Sequence, residues 1–370
     1  MRAIAIAVIA MLVAVARPAH AYPQFQLSKD QTCSSCHISP AGGGPLTENG
    51  LNVAQNTSQW GTAPEFFYGK IPTPSWLTLA GDLRGAAGFF DSVEKSFVAF
   101  PMQAELYANA AFDAFSVHVA AGARDPQYNN TAATLFSSRE HWVQWQTDPG
   151  ASTGLVVRAG RFMPVFGLRF VEHPDFTRRF GGSPLYGEAY GVAAEYIDPK
   201  WEVHATGFIH DPFFPDSVER GNGGAVYAET RLAKTTAIGV EAKLDVTHDD
   251  RHLHTGVTAK QYLENPGILV QAEVQLVHQK VDAGGTNNQL VGYVMGSYFL
   301  GDSIMVDLGL SAYEPDLRIR YLDQEAVDLN IHWFATSHLE LILTNRFQMQ
   351  ELGEGGLSSG YSLLQLHYRL

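Results

Sequence analysis

The feature that most constrains this chain is an alternation of apolar and polar residues from Trp76 to the end of the sequence. In the segment 238–246, Ile, Val, Ala and Leu alternate with Gly, Glu, Lys and Asp, and the segments 270–276, 306–312 and 327–333 repeat this pattern. Successive side chains of a β-strand point to opposite faces, so this period of two predicts strands with one apolar and one polar face. We therefore predict that this part of the chain is all β.

The connections between the predicted strands alternate between tight and long, and we count about sixteen strands. Tight turns are expected at 112–113, 148–150, 198–200, 233–235, 265–267, 301–302 and 336–337. Long polar loops are expected at 167–187, 211–224, 282–288 and 351–360. This pattern is typical of a transmembrane outer-membrane antiparallel β-barrel, although a soluble, secreted all-β protein also shows alternation.

The first residues resemble a secretory signal peptide. Arg2 precedes an apolar run, Ile4–Ala16, and Ala19-His20-Ala21 matches a small-x-small cleavage pattern. We expect residues 1–21 to be removed, so that the mature chain begins at Tyr22. The formal net charge of −13 indicates an acidic protein, which argues against a nucleic-acid partner and suits cations or basic redox proteins.

The two cysteines lie close together near the expected mature N-terminus. Cys33 and Cys36 are separated by two residues and followed directly by His37, which is the c-type haem attachment pattern. The thiols would form thioether bonds to one covalent haem c, and His37 would be the proximal iron ligand. A local disulfide is the alternative for an exported chain. Residues 22–73 are expected to form a small haem-binding head with its linker, and residues 74–370 the barrel.

The second axial ligand of the iron is not evident. Between Tyr22 and Lys70 there is no methionine, and His37 is the one histidine. Tyr22-Pro23-Gln24-Phe25 resembles the mature amino terminus of cytochrome f, which implies the α-amino group of Tyr22 as a ligand. Alternatively, Pro23 and Phe25 pack on the porphyrin. The other candidates are Met102, Met163, His118, His141, Lys29, Lys70, or an open or water-held position.

Two further sets of side chains suggest binding chemistry inside the barrel. His252 and His254 are two residues apart, which places both on one face of a strand, and imidazole suits transition metals. We state a metal site there as a hypothesis, because surface histidines without a metal are commoner. Acidic side chains are expected to line the lumen, either attracting cations or forming an ordinary polar lining, at Glu241, Asp245, Glu273, Asp307 and Asp328.

The segment Arg158–Gly167 resembles a stretch of the phosphate-selective porins. It continues into a long loop that contains Arg178 and Arg179. This arginine cluster would either bind an anion or hold the loop against acidic lumen residues through salt bridges. We prefer the second interpretation.

The order of these segments resembles the fused monohaem cytochrome c–porin family, whose best-known members are outer-membrane iron oxidases. The resemblance rests on Pro23, Phe25 and the motif Cys33–His37 ahead of a porin-like barrel, whereas Leu27–Asp30 departs from the family pattern. It implies an outer-membrane protein of a Gram-negative bacterium, with the haem head on the periplasmic side or inside the lumen.

The resemblance also implies electron transfer between an extracellular donor such as Fe(II) and a soluble periplasmic cytochrome or other carrier. We assign no catalytic residue, and whether the chain is an Fe(II)-oxidising enzyme stays open. The alternatives are a diffusion porin whose haem head is a plug or sensor, and a haem enzyme such as a peroxidase.

Overall fold

The computed structural model describes residues 23–28, 30–91, 96–124, 136–172, 174–185, 187–209, 221–282, 284–319, 322–352 and 355–370. The expected leader and Tyr22 lie outside these residues. Among the helices described, none has the length and apolar character needed to cross a lipid bilayer.

Sixteen antiparallel strands form one closed barrel, in which each strand pairs with its neighbours in sequence and β1 pairs with β16. The strands are β1 (Leu77–Asp91), β2 (Ser96–Phe112), β3 (Phe115–Arg124), β4 (Phe136–Gln146), β5 (Gly154–Phe162), β6 (Ala189–Ile197), β7 (Trp201–Ile209), β8 (Asn222–Ala233), β9 (Thr236–Val246), β10 (Asp250–Leu263), β11 (Ile268–Val281), β12 (Gly285–Leu300), β13 (Ile304–Glu314), β14 (Gln324–Phe334), β15 (Leu339–Leu352) and β16 (Gly355–Arg369). The predictions of an all-β fold and of about sixteen strands are confirmed.

The barrel wall is apolar outside and charged inside. In β9, Val240 is 59% exposed, whereas the neighbouring Glu241 is 4% exposed and points into the lumen. The four other acidic residues predicted to line the lumen are also buried. A soluble protein buries its apolar side chains, so this inverted arrangement is the one expected of a barrel surrounded by lipid.

The seven predicted tight turns all connect consecutive strands at one end of the barrel. Two predicted loops are wrong. The stretch 282–288 is mostly strand because β12 begins at Gly285, and the stretch 351–360 is mostly strand because β16 begins at Gly355. In both places the strands continue as polar hairpins, and a hairpin that is polar on both faces lacks the alternation that marks a strand. Most of the predicted loop 211–224 lies outside the described residues.

The connection between β5 and β6, residues 163–188, is the long loop expected there, and it folds into the lumen. It contains one helical turn, Phe176–Arg179. Phe170 packs against Tyr293 and Met295 of the wall. The backbone N–H of Leu168 donates to Glu273 at 2.7 Å, and acidic lumen residues therefore hold this inward loop.

The N-terminal segment occupies the end of the barrel that carries the tight turns. It contains α1 (Phe25–Ser28), α2 (Cys33–Cys36), α3 (Glu48–Thr57) and a 3-10 turn, Phe66–Gly69, before β1. The helical turn of the inward loop is then α4. We call residues 23–62 the N-terminal plug, because its apolar side chains pack against the inside of the wall.

Three contacts show how the plug is seated. Phe25 packs against Phe299, Met305 and Phe334. Leu27 packs against Ala237 and Leu269, and Ile38 packs against Trp142, Phe162 and Ala193. These wall residues lie on strands from β4 round to β14, so the plug contacts most of the circumference.

Candidate functional site

The two cysteines begin and end the single-turn helix α2. Because residues three apart lie on the same face of a helix, both thiols point to one side. Neither is in a disulfide. Burial raises the pKa of the Cys33 thiol to about 11, outweighing the nearby Arg169 guanidinium, and burial also raises the pKa of Cys36. Poor solvation disfavours the charged thiolate form of both cysteines. Formation of thioether bonds would remove the ionisable proton from each sulfur.

His37 follows α2 directly, and its ring is oriented by the backbone. Its Nδ1 lies 3.1 Å from the carbonyl oxygen of Gly43. A carbonyl only accepts, so Nδ1 carries the proton of the neutral ring and Nε2 bears the lone pair that binds a metal. The chain reaches this position because Gly42, Gly43 and Gly44 all have positive φ, between 61° and 83°, a conformation that glycine adopts without strain.

Helix α3 packs very closely on the motif. A Cβ atom at Gly50 would lie 2.2 Å from the carbonyl oxygen of Cys36. Thr47 caps α3 by accepting the N–H of Gly50 at 3.1 Å, and its own N–H donates to the Cys36 carbonyl at 3.0 Å. The Asn49 amide donates to the carbonyl of Ser35 at 3.2 Å. Helix α3 therefore fixes the attachment turn, a role that sequence reasoning missed although Thr47 has the type and position of an N-cap.

The residues of the plug fit a covalent haem. Two neutral thiols share one face, an oriented imidazole follows them, and the glycine run beside His37 borders a cavity of about 460 Å³. This cavity lies between the plug, the inward loop and the wall. Gly44 also borders a second cavity of about 260 Å³ on the side of Leu46 and Leu51. The donor set suits a c-type haem, and both cavities reach the plug at the glycine run, although neither is lined by Cys33, Cys36 or His37 themselves.

The structure places two of the sixth-ligand candidates beside this site. Met102 and Met163 line the same cavity as Gly43. His118 is buried and stacks on Trp142, with 4.8 Å between ring centroids. His141 lies within 3.1 Å of the hydroxyls of Ser138 and Tyr190. Lys70 is exposed, and Tyr22 and Lys29 lie outside the described residues. The sixth ligand stays a prediction.

In the structure Phe25 packs on the barrel wall, whereas the sequence suggested that it packs on the porphyrin. Its ring packs on Phe299 of the wall at a centroid distance of 5.5 Å. Pro23 begins the turn into α1, where its carbonyl accepts the N–H of Gln26 at 3.3 Å. Phe25 therefore seats the plug in the wall, and a contact of either residue with haem stays a prediction.

His252 and His254 both face the lumen from β10, as their spacing predicted. Their ring centroids lie 6.0 Å apart. Nε2 of His252 is 3.6 Å from Asp250 Oδ2, and His254 is buried with its ring beside Phe166. The one group of three or more possible metal donors found in the described part of the chain does not include this pair. The metal site at the pair stays a hypothesis.

The arginines at and after β5 hold the plug and the inward loop. Arg158 pairs with Glu195 at 2.8 Å, and both side chains are fully buried. Arg169 pairs with Glu202 at 2.7 Å and also donates to the carbonyl of Pro40 at 2.9 Å. A buried charge needs such a partner. For Arg158 the preferred interpretation of a salt bridge to an acidic lumen residue is therefore confirmed. Arg169 was not part of the predicted cluster and makes the same kind of contact, whereas for Arg178 and Arg179 the interpretation stays a prediction.

A closed sixteen-stranded barrel with an apolar exterior, a charged lumen and an inward-folded long loop is a barrel of the porin type. Solved structures agree. The chain is similar to the outer-membrane expressed OmpT of Vibrio cholerae, with a TM-score of 0.60 and 14% identity over 81% of this chain and 100% of that one. It is also similar to the anion-selective porin from Comamonas acidovorans, with a TM-score of 0.60 and 12% identity over 80% and 99%.

OprB of Pseudomonas putida gives a similar match, with a TM-score of 0.60 and 12% identity over 80% of this chain and 94% of that one. At these identities the likeness concerns the fold alone. The resemblance to phosphate-selective porins is consistent with this fold. No protein-family model and no curated protein sequence matches the chain, so no comparison shows the fused cytochrome–porin family.

Proposed function

We propose that this protein is an outer-membrane barrel whose periplasmic end is filled by its own haem-bearing plug, and that the bound haem c moves electrons between an outside donor and a periplasmic carrier. The observation that carries the proposal is the position of Cys33–His37 inside the lumen, at the end with tight turns. In outer-membrane barrels the short turns face the periplasm. The porin fold supports the barrel, and the expected signal peptide supports export.

The contacts between the plug and the lumen favour the transport of electrons over the transport of solutes. Gln26 lies in the lumen within hydrogen-bond distance of Glu202 on β7, Glu229 on β8 and Lys260 on β10. On the other side of the motif, Ser34 donates to the carbonyl of Ser152, at 2.7 Å, in the turn before β5. A solute must pass this packed protein, whereas bound haem supplies one-electron exchange. The wall keeps lipid, whose apolar layer is about 25 Å thick, away from the plug.

The lumen chemistry suits a cationic donor. Glu241, Asp245 and Glu273 face the lumen from β9 and β11. The lumen also carries basic side chains, among them Lys243 at 3.7 Å from Asp245, but this local group of carboxylates attracts cations. Fe(II), the donor that the family resemblance implies, is such a cation. By the same electrostatic argument, the periplasmic acceptor that suits this acidic chain is a soluble cytochrome with a basic surface.

A solute channel with a haem-bearing plug is the second candidate, and two observations favour it. The comparisons include an anion-selective porin, and a barrel of the porin type bears on a channel and not on electron transfer. The cavity of about 460 Å³ between plug and inward loop also leaves aqueous space within the lumen. In this case the plug would restrict or gate solute flow.

Reduction of the haem in intact cells separates the two functions. Fe(II) is added outside cells that express the protein, and the reduced haem absorption band is followed. Electron transfer predicts reduction within the assay and none in the C33A/C36A variant, which keeps the barrel but cannot attach haem. Absence of reduction by Fe(II) and by other outside reductants, together with steady conductance of the full chain in planar bilayers, would establish the solute channel instead.

A further inference from the structure

A second site lies where the inward loop meets the wall. Glu172 of the inward loop, Asp307 of β13 and His332 of β14 each offer a donor atom, and these atoms all lie within 4.8 Å of one another. We infer that these three side chains bind a divalent transition-metal ion that is separate from the haem. The site needs no residue of the attachment motif, so it goes beyond the proposed function.

The donor positions are close to those that a metal ion requires. His332 Nε2 is 3.2 Å from Asp307 Oδ2 and 4.0 Å from Glu172 Oε1. Ligand atoms at about 2.0–2.2 Å from one ion lie roughly 3 to 3.5 Å from each other. The histidine and Asp307 already meet this condition. Glu172 is on a loop, and a movement of about 1 Å, within what loops allow, would bring it into range.

Unsatisfied oxygens provide an independent indication of a missing ligand. The Asp307 side chain is completely buried. Its Oδ1 atom has no hydrogen-bond partner among the described residues, and the same is true of Glu172 Oε2. The other oxygen of Asp307 accepts a long bond, 3.4 Å, from Gln24 of the plug. A buried carboxylate oxygen without a partner is costly, and a cation between the two carboxylates would remove that cost.

The histidine is also oriented as metal ligands are. Its Nδ1 lies 2.9 Å from Glu340 Oε1. The second oxygen of Glu340 lies 3.2 Å from Nδ1 of His367, whose Nε2 is 2.7 Å from Asp82. Histidine ligands commonly donate their second N–H to a carboxylate, which fixes the ring and directs Nε2 towards the ion.

The donor set selects the class of ion. One imidazole and two carboxylates suit Mn(II), Fe(II), Co(II) or Zn(II), whereas Cu(I) favours sulfur ligands and Ca(II) favours oxygen alone. The alternative for the same geometry is a protonated His332 that forms salt bridges to Asp307 and Glu340 without any metal. A binding experiment separates the two.

The test measures Mn(II) binding to the full-length, haem-loaded protein in detergent, from the loss of the free Mn(II) signal in electron paramagnetic resonance. We expect one bound ion per chain and at least a tenfold weaker affinity in Glu172→Gln, which leaves the wall unchanged. The matched control is Glu264→Gln, an exposed carboxylate at the tight turn after β10. The control should bind as the parent does.

His332→Gln is the second variant, and it should abolish binding while the barrel still shows the gel-mobility shift on heating that folded barrels give. The inference is overturned if the parent binds no Mn(II), or if Glu172→Gln and Glu264→Gln bind it equally well; either outcome leaves the salt-bridged histidine. Haem content, measured on the same samples, is expected to stay constant. A failure of this site is thereby distinguished from a failure of the haem proposal.

Discussion

At the scale of single residues, the turn that carries the proposed haem attachment site depends on a close approach between two helices. Gly50 is required because the carbonyl of Cys36 occupies the space that a side chain would need. Beside Cys33, buried Arg169 and Glu202 form a charged pair, yet burial outweighs the guanidinium and raises the pKa of this thiol. We therefore expect small changes here to act on the proposed haem attachment before they act on the barrel.

Gly50→Ala is expected to lower haem content. The added methyl group must displace α3 from α2, and overpacking of this kind costs about 1–3 kcal/mol. The haem-to-protein ratio, measured by the pyridine haemochrome method, should fall well below that of the parent. Gly292→Ala is the matched control, because a Cβ there meets no atom within 4 Å. Equal haem content in both variants would contradict the close packing.

The thiols of protein made without haem attachment should react slowly near neutral pH. Burial holds the pKa of Cys33 at about 11, above its ordinary value, so the reactive thiolate is scarce at pH 8 and increases as the pH rises towards 11. In the Cys36→Ala variant, iodoacetamide labelling at pH 8, followed by mass spectrometry, should be at least tenfold slower than for a cysteine in a short peptide. Labelling as fast as in the peptide would show a solvated thiol.

At the scale of elements, polar side chains of two wall strands, β11 and β9, hold the inward loop. Besides Glu273, the side chain of Gln275 accepts the N–H of Gly182 at 3.0 Å. Lys243 of β9 donates to the carbonyl of Gly182 at 2.8 Å. These buried polar contacts add to the apolar packing of Phe170 and Phe176 on the wall, and together they keep the loop in the lumen.

Gln275→Ala is expected to loosen the inward loop while the barrel stays folded. It leaves the buried N–H of Gly182 without its acceptor, at a cost of about 1–3 kcal/mol. Trypsin should then cut after Arg178 or Arg179 several times faster, as followed by mass spectrometry. Gln261→Ala, whose hydrogen bond to Thr236 lies at a tight turn, should leave the rate unchanged. An unchanged cleavage rate in Gln275→Ala would mean that other contacts are sufficient to hold the loop in the lumen.

At the scale of the whole molecule, wall and plug are separate structures that fit together. The wall closes through its own strand pairing, β1 with β16, and does not use the plug to complete any pair between its strands. The plug adds contacts across the lumen at one end. The barrel should therefore fold without it.

Deletion of residues 23–62 is expected to open the lumen. In planar bilayers the shortened chain should conduct ions at least severalfold better than the full chain, because the packed segment at the tight-turn end is absent. A heat-dependent gel shift checks that the shortened barrel has folded. Equal conductance of the two folded proteins would mean that the plug does not limit flow.

The sequence predicted the structural features that repeat along the chain. It did not predict the contacts between distant residues that form only on folding. Alternation located the strands, and short polar turn residues located all seven tight turns, because both signals are local. The hairpin strands that begin at Gly285 and Gly355 were predicted as loops, because strands with polar residues on both faces lack the alternation of apolar and polar residues. The triad of Glu172, Asp307 and His332 was not predicted, because barrel closure and an inward loop bring distant residues together, and no spacing encodes this.

The pairing of β1 with β16 also imposes an order of assembly. The ring cannot close before its last strand is in place, whereas the plug precedes its first strand. Once the wall has closed, Cys36 is buried and the segment that carries both cysteines is packed against the inside of the wall, so access to the thiols is restricted. If haem is attached as proposed, attachment on a chain whose strands are still open is expected to come first, and the barrel is then expected to fold around a finished cofactor segment.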